Sequence, residues 1–251
     1  MIGVIGGAGP FAGLDLLGKI LAQTAAQTDQ DHLTVATLSQ PAAIADRTAF
    51  LLGETEMNPA RPILAQLHQL EQLGAVVAGI PCNTAHAAPI MDVITQGLAT
   101  SGSRLRLLNM INEVGLVLQH HYPAVQTVGL LSTTGTAVSR VYPMTLEPLG
   151  FKVIEPQEQA LQERVHSAIY DTQYGIKACG LATEKARGDI LAVMDHLRQR
   201  GAQAIILGCT ELPLAIPEKE VNGLPQIDST LALARGLIRA VDPQKLRPWG
   251  S

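Results

Sequence analysis

The sequence predicts an α/β protein built as two pseudosymmetric half-domains, each a mainly parallel sheet with flanking helices, with a ligand cleft between them. Three observations carry this. Short apolar runs alternate with helix-length segments throughout the 251 residues, the pattern that buries parallel strands beneath helices on both faces. One phrase occurs twice: Leu70-Glu71-Gln72-Leu73-Gly74-Ala75 returns as Leu197-Arg198-Gln199-Arg200-Gly201-Ala202, and in both copies the glycine precedes a cysteine, Cys82 or Cys209, by eight positions. Ile2-Gly3-Val4-Ile5 likewise returns as Val128-Gly129-Leu130-Leu131 at an offset of 126, Gly9 matches Gly135 at 126, and the cysteines match at 127. A constant spacing over half the chain marks a duplicated half-domain, since solenoid repeats are much shorter. The halves are placed at residues 1–105 with 226–251, and at 106–225.

The elements follow in order. Residues 2–6 read as a buried strand, and Pro10 suits the first position of a helix running to about residue 26. Further strands are expected at 33–38, 76–80 and 105–108, with a helix over roughly 59–73. The second half repeats the order: a strand at 127–131, a helix from about 135, a strand near 151–154, a helix over 184–200 and a strand at 204–207. A last strand and helix, 226–228 and 231–241, close the fold, and 243–251 form an arm or tail.

Composition narrows the function classes. Aromatics are only 3% against 47% hydrophobic residues, so the core is built from Leu, Ile, Val and Ala. A net charge of −4 with no basic block points away from nucleic acid and anionic membranes as partners. No run of about 18 apolar residues suggests a spanning helix. No basic stretch, apolar run and cleavage site open the chain, which predicts no secretion. Three cysteines cannot all pair, so a reduced, cytoplasmic protein is expected.

Chemistry concentrates in the cysteine blocks, Pro81-Cys82-Asn83-Thr84-Ala85-His86 and Gly208-Cys209-Thr210-Glu211. Both lie at the carboxyl ends of expected strands, where open α/β sheets bind ligands. Gly6-Gly7-Ala8-Gly9-Pro10 and Ser132-Thr133-Thr134-Gly135-Thr136 lie likewise, so four loops are expected around one cleft. Each cysteine is also expected at a helix start, which favours a thiolate. Bringing a thiol from its ordinary pKa of about 8.5 to neutrality takes roughly 2 kcal/mol, whereas a helix N-terminus supplies about 0.3 to 1 kcal/mol, or ~2 kcal/mol where partly buried, and so accounts for part of the poise. A substrate ammonium or a nearby amide would have to supply the rest.

Other readings explain less. Gly7-Ala8-Gly9-Pro10-Phe11-Ala12 fits a relaxed dinucleotide fingerprint, but the following strand ends Thr37-Leu38-Ser39-Gln40 without the acid that would hold a ribose. A phosphatase loop needs an arginine six residues after its cysteine, where Ala88 and Ala215 stand. His86 has no further ligand at metal spacing and reads as a histidine behind the loop or facing its helix. Cys179 has no repeat partner. Glu211 either acts beside Cys209 or caps the helix that follows.

The five segments Gly6-Gly7-Ala8-Gly9-Pro10, Asp46-Arg47-Thr48-Ala49, Pro81 to His86, Thr133-Thr134-Gly135-Thr136 and Gly208 to Glu211 occur in register over nearly the whole chain. Together they resemble the aspartate racemase branch of the cofactor-independent aspartate/glutamate racemase family. The resemblance implies an active site between the halves, a small acidic amino acid as substrate, no pyridoxal phosphate or metal, and a homodimer. It implies Cys82 and Cys209 as a thiolate/thiol pair working on opposite faces of the α-carbon. Asn83, Thr84, Thr136 and Thr210 match groups that bind the α-carboxylate, and Arg47 and Lys177 match cations for a side-chain carboxylate. Glu211 is included as a residue of the site. Two features depart from the family pattern: Ala8 replaces the usual methionine, which enlarges that wall, and the segment from Asp171 to Gly175 before Lys177 is longer. Glutamate or both acidic amino acids form the second reading, since one methylene is worth only ~1 to 3 kcal/mol of discrimination. A one-cysteine cis-trans isomerase or decarboxylase and a non-catalytic binder of small acids are the more distant ones.

Overall fold

A computed structural model of the chain describes residues 1–250; Ser251, the end of the expected first half-domain and of the tail, lies outside the described residues. The chain separates into two compact units, one of Met1–Glu113 with the chain from Thr230 onward, the other of Val114–Ser229.

In the first unit four parallel strands, β1 (Ile2–Ile5), β2 (Val35–Leu38), β3 (Val77–Gly79) and β4 (Arg106–Leu107), lie in the order β2-β1-β3-β4. Alternation along β1 decides which helices cover each face. Ile2 and Val4 pack with Leu16 and Ile20 of helix Pro10–Gln23 and with Leu233, Leu237 and Ile238 of helix Ser229–Val241. Ile5 joins the opposite core, with Ile63, Leu67 and Leu70 of helix Ala60–Gln72 and Ile90 and Ile94 of helix Ala88–Thr100. Burying such a side chain is worth about 1.5 to 3 kcal/mol.

The second unit repeats the plan. Its strands β5 (Thr127–Ser132), β6 (Lys152–Ile154), β7 (Ala204–Gly208), β8 (Glu220–Val221) and β9 (Leu224–Asp228) lie in the order β6-β5-β7-β9-β8. The first four are parallel, and β8 adds an antiparallel edge. Beneath β7, Ile205 and Leu207 pack with Val165 and Ile169 of helix Gln159–Tyr170 and with Ile190, Val193 and Leu197 of helix Glu184–Gln199. The α/β class with two mainly parallel sheets is therefore present.

The duplicated phrase has a physical meaning at its helix end. Gly74 and Gly201 both adopt left-handed backbone, with φ of +97° and +92°. In each copy the two amides after the helix turn back onto it: Gly74 N–H donates to Glu71 O and Ala75 N–H to Leu70 O, while Gly201 N–H donates to Arg198 O and Ala202 N–H to Leu197 O. This is the Schellman arrangement, which satisfies carbonyls left open at the last turn. The corner rests on a strand glycine in both units. A Cβ on Gly3 would meet Leu70 Cβ and Ala75 Cβ at 3.3 and 3.2 Å, and one on Gly129 would meet Leu197 Cβ and Ala202 Cβ, both at 3.2 Å.

Candidate active site

In the strand order shared by the units, the chain leaves β1 for β2 on one side and reaches β3 on the other, so β1 and β3 flank a topological switch point; β5 and β7 do the same. Ligand loops gather at the carboxyl ends of such strands. The glycine-rich loop follows β1 and the Cys82 loop follows β3, while the threonine loop follows β5 and the Cys209 loop follows β7.

In the first unit, Cys82 is buried, with extended backbone (φ −156°), ahead of the short turn Asn83–His86. The loop closes on its own carbonyl: Ile80 O accepts from the Cys82 amide at 2.8 Å and pairs with His86 Nε2 at 3.2 Å. Burial pushes His86 down to about 4, so the ring is neutral and Nε2 carries the proton donated to Ile80, while buried Nδ1 has no partner. His86 thus braces the backbone that carries Cys82 and lies behind the loop. Asn83 and Thr84 are buried beside the cysteine. Cys82 Sγ has no hydrogen-bond partner among the described residues.

Asp46 and Arg47 serve the glycine-rich loop. Asp46 caps helix Arg47–Leu51 by accepting from the Ala49 amide at 2.8 Å. The buried Arg47 guanidinium donates to Ala8 O at 2.5 Å and to Ala45 O at 3.3 Å. Ala8 and Cys82 belong to one apolar cluster, which ties the two loops into one wall of the unit. A Cβ on Gly7 would lie 2.6 Å from Gln40 N, so close packing against the chain after β2 accounts for a glycine there.

In the second unit, Thr133 caps helix Thr134–Ser139: its hydroxyl accepts from the Thr136 amide at 3.4 Å and lies 3.2 Å from the Thr136 hydroxyl. Gln162 Nε2 donates to Ser132 O at 2.8 Å, and the Thr134 amide donates to His166 Nδ1 at 3.5 Å. The His166 ring stacks on Tyr170 with centroids 4.8 Å apart, and Lys177 Nζ lies 5.5 Å from the centre of the Tyr170 ring.

Lys177 also forms an ion pair with Glu211 Oε1. The other carboxylate oxygen, Oε2, accepts from the Cys209 thiol at 3.0 Å and from the Thr210 hydroxyl at 3.2 Å. Cys209, Thr210, Glu211 and Lys177 are therefore one connected group, and Glu211 turns to the thiol without capping the helix behind it. Gly208 lets this loop lie close to its neighbour: a Cβ there would be 2.8 Å from Leu131 O.

Both cysteines differ from expectation in one respect. Neither opens a long helix: Cys82 precedes the turn Asn83–His86, six residues before helix Ala88–Thr100, and Cys209 precedes only Leu212–Ala215. Prolines impose this. Pro89 lies within the first turn of the long helix, where a missing amide is tolerated, and Pro217 disfavours helical backbone at Ile216. A strong dipole at the sulfur is absent for this reason. At Cys209 the balance runs the other way: burial pushes the thiol well above its ordinary value, and the Glu211 charge adds to this against the pull of Lys177. Burial also works against the Glu211 charge, but Lys177 and the hydrogen bonds from Cys209 and Thr210 outweigh it and hold the carboxyl below its usual range. Burial opposes the Lys177 charge too, and the facing carboxylate raises it overall. The pair is ionised.

The sequence left out His166, Tyr170 and Tyr142. Tyr142 is fully buried, and burial pushes its hydroxyl up. Their signal was the four-residue spacing of His166 and Tyr170, which puts both on one helix face.

The sequence matches the Asp/Glu/Hydantoin racemase family over residues 5–237. The chain belongs to that family. Among solved structures, the aspartate racemase of Picrophilus torridus is similar at 30% identity and a TM-score of 0.79, covering 95% of this chain and 93% of that one. The glutamate racemase of Francisella tularensis, solved with D-glutamate, shares the fold at 16% identity and a TM-score of 0.66, covering all of this chain and 84% of that one. Among characterised sequences, the broad specificity amino-acid racemase RacX of Bacillus subtilis is 26% identical over 245 residues, covering 95% of this chain and 96% of that one. This racemase-family chain is accordingly an isomerase, of the amino-acid racemase class. Among its described residues no helix is long and apolar enough to cross a membrane, and no cluster of three His, Cys, Asp or Glu side chains is placed to hold a metal.

Proposed function

We propose that this racemase interconverts L- and D-aspartate with its own side chains as acid and base, one thiol from each unit acting on the same substrate. A thiolate removes the α-proton and becomes a thiol, while the other thiol delivers its proton to the opposite face and becomes a thiolate. The roles exchange for the other enantiomer. The observation that carries this reading is positional: Cys82 follows β3 and Cys209 follows β7, the same strand of the same four-strand order, each beside the loop of a central strand. A binding protein needs donors at these places but not matched thiols.

Asn83, Thr84, Thr136 and Thr210, with neighbouring amides, are the donors suited to the α-carboxylate, which takes up negative charge as the proton leaves. Arg47 and Lys177 are the cations for the second carboxylate. Arg47 donates to the carbonyls of Ala8 and Ala45, so a substrate carboxylate would share its guanidinium with the glycine-rich loop. Lys177 would meet a substrate carboxylate in competition with Glu211. A broader preference, including glutamate, is favoured by Ala8, whose small side chain lies in the same cluster as Cys82.

The test is incubation of each aspartate enantiomer, with glutamate in parallel, followed by chiral chromatography. Conversion of either aspartate enantiomer to an equal mixture is expected. Unchanged aspartate in the presence of folded protein rejects the substrate, comparable turnover of glutamate establishes the broader specificity, and tight binding without turnover establishes a binding protein. The cytoplasmic setting and the homodimer belong to the same proposal, the second tested by analytical ultracentrifugation.

A further inference from the structure

The two cysteines match in position but not in neighbours, and the difference assigns their starting roles. Two residues after Cys82 stands Thr84; two residues after Cys209 stands Glu211, whose Oε2 lies 3.0 Å from the sulfur and whose Oε1 is fixed by Lys177. We propose that Glu211, anchored by Lys177, is a positioning residue that keeps Cys209 in the thiol form, so that the resting enzyme begins with Cys209 as acid and Cys82 as base. The order of acid and base rests on the two-thiol reading above.

The geometry supports this in two ways. A carboxylate accepts hydrogen bonds and cannot donate one, so only the protonated sulfur can satisfy a contact of this length. A thiolate at the same place would face an anion across 3.0 Å within a buried loop, where repulsion is weakly screened. The groups facing Cys209 are Glu211, Lys177 and Tyr142, with Asp228 acting on Tyr142. Lys177 is drawn onto the far oxygen of Glu211, so it holds the carboxylate ionised. When Cys209 gives its proton to the α-carbon, it becomes the strained thiolate and Cys82 becomes a thiol. That thiolate is the species that Glu211 disfavours, so the resting arrangement returns when one proton leaves Cys82 and one is gained by Cys209.

The experiment labels the full chain with limiting iodoacetamide over a pH series and quantifies the Cys209 and Cys82 peptides by mass spectrometry, with circular dichroism to verify folding. In the wild type the Cys209 labelling midpoint is expected at higher pH than that of the same cysteine in the urea-unfolded chain. In Glu211→Gln the midpoint is expected to fall by a unit or more, which makes labelling about tenfold faster at a fixed pH below it. Glu211→Asp should restore most of the upward displacement, and the Cys82 midpoint should stay unchanged in both variants. A wild-type midpoint at or below the unfolded value overturns the assignment without any variant, as does an unmoved midpoint in folded Glu211→Gln. Labelling needs no substrate, which separates the two proposals: racemisation with an ordinary Cys209 midpoint overturns only the role of Glu211, whereas a raised midpoint without racemisation overturns the acid and base order together with the function.

Discussion

The loop after β3 and the loop after β7 hold equivalent places in their sheets, yet their cysteines have different company. At the positions one, two and four beyond the cysteine, the first loop has Asn83, Thr84 and His86, and the second has Thr210, Glu211 and Pro213. His86 holds the first loop to its own backbone through Ile80, whereas Glu211 faces the sulfur itself in the second. Duplication conserved the scaffold, including the Schellman corners at Gly74 and Gly201, and left the electrostatics of the two thiols free to diverge. A racemase needs both faces of the α-carbon served but does not need them served by identical surroundings.

The strongest way to break this comparison is to remove one sulfur at a time. Cys82→Ala and Cys209→Ala are each expected to slow aspartate interconversion by about 10²- to 10⁴-fold, the range for loss of a general acid or base, measured by chiral chromatography. Full activity in either variant contradicts the pairing.

Acid stability sharpens it next, because only the first loop carries a buried histidine at its fourth position. His86 is held at about 4 in the folded chain against 6.5 ordinarily. The unfolded chain therefore binds the extra proton first, so the contribution is intact above pH 6.5 and is lost as pH falls toward 4. The loss reaches about 3 kcal/mol. Urea unfolding at neutral pH and near pH 4 should show a smaller acid loss in His86→Gln by a similar amount; an identical loss in both proteins would show that His86 does not titrate on unfolding.

Smaller effects test what the units share. Gly74→Ala and Gly201→Ala each force a side chain into left-handed backbone, at a cost of about 1 to 2 kcal/mol. Urea unfolding should give comparable losses, and a neutral substitution at either would break the structural equivalence. Asp46→Ala and Thr133→Ala remove one helix cap from each unit, at about 1 kcal/mol apiece by the same measurement.

Much of this architecture was legible because it is written in local patterns. Buried parallel strands give short apolar runs, and a helix that ends at a left-handed glycine leaves Leu-x-x-x-Gly-Ala in the sequence, so β1, β3, β5 and β7 and the helices before the cysteines could be read directly. The helix expected at Cys82 begins only at Ala88, and helices Gln159–Tyr170 and Met110–His121 were not assigned. The second of these carries the chain from one unit into the other with no loop to mark the passage. The Cys209 group was legible only in part. Lys177 and Glu211 are 34 residues apart, and their ion pair depends on how the short helix Ile176–Cys179 packs, which periodicity does not encode. The helix-start expectation for the cysteines failed because prolines shorten the helices, and at Cys209 burial, with the Glu211 charge added to it, outweighs the pull of Lys177.

The most direct test of paired thiols is the early distribution of solvent deuterium. Wild-type protein is incubated with L-aspartate, and separately with D-aspartate, in heavy water, and both enantiomers are isolated before a tenth of the substrate has reacted, roughly, and analysed by mass. Two separate proton carriers place α-deuterium in the newly formed enantiomer while the recovered substrate keeps its protium. Deuterium entering the recovered substrate as fast as the product would reveal a single base serving both faces and would contradict the account.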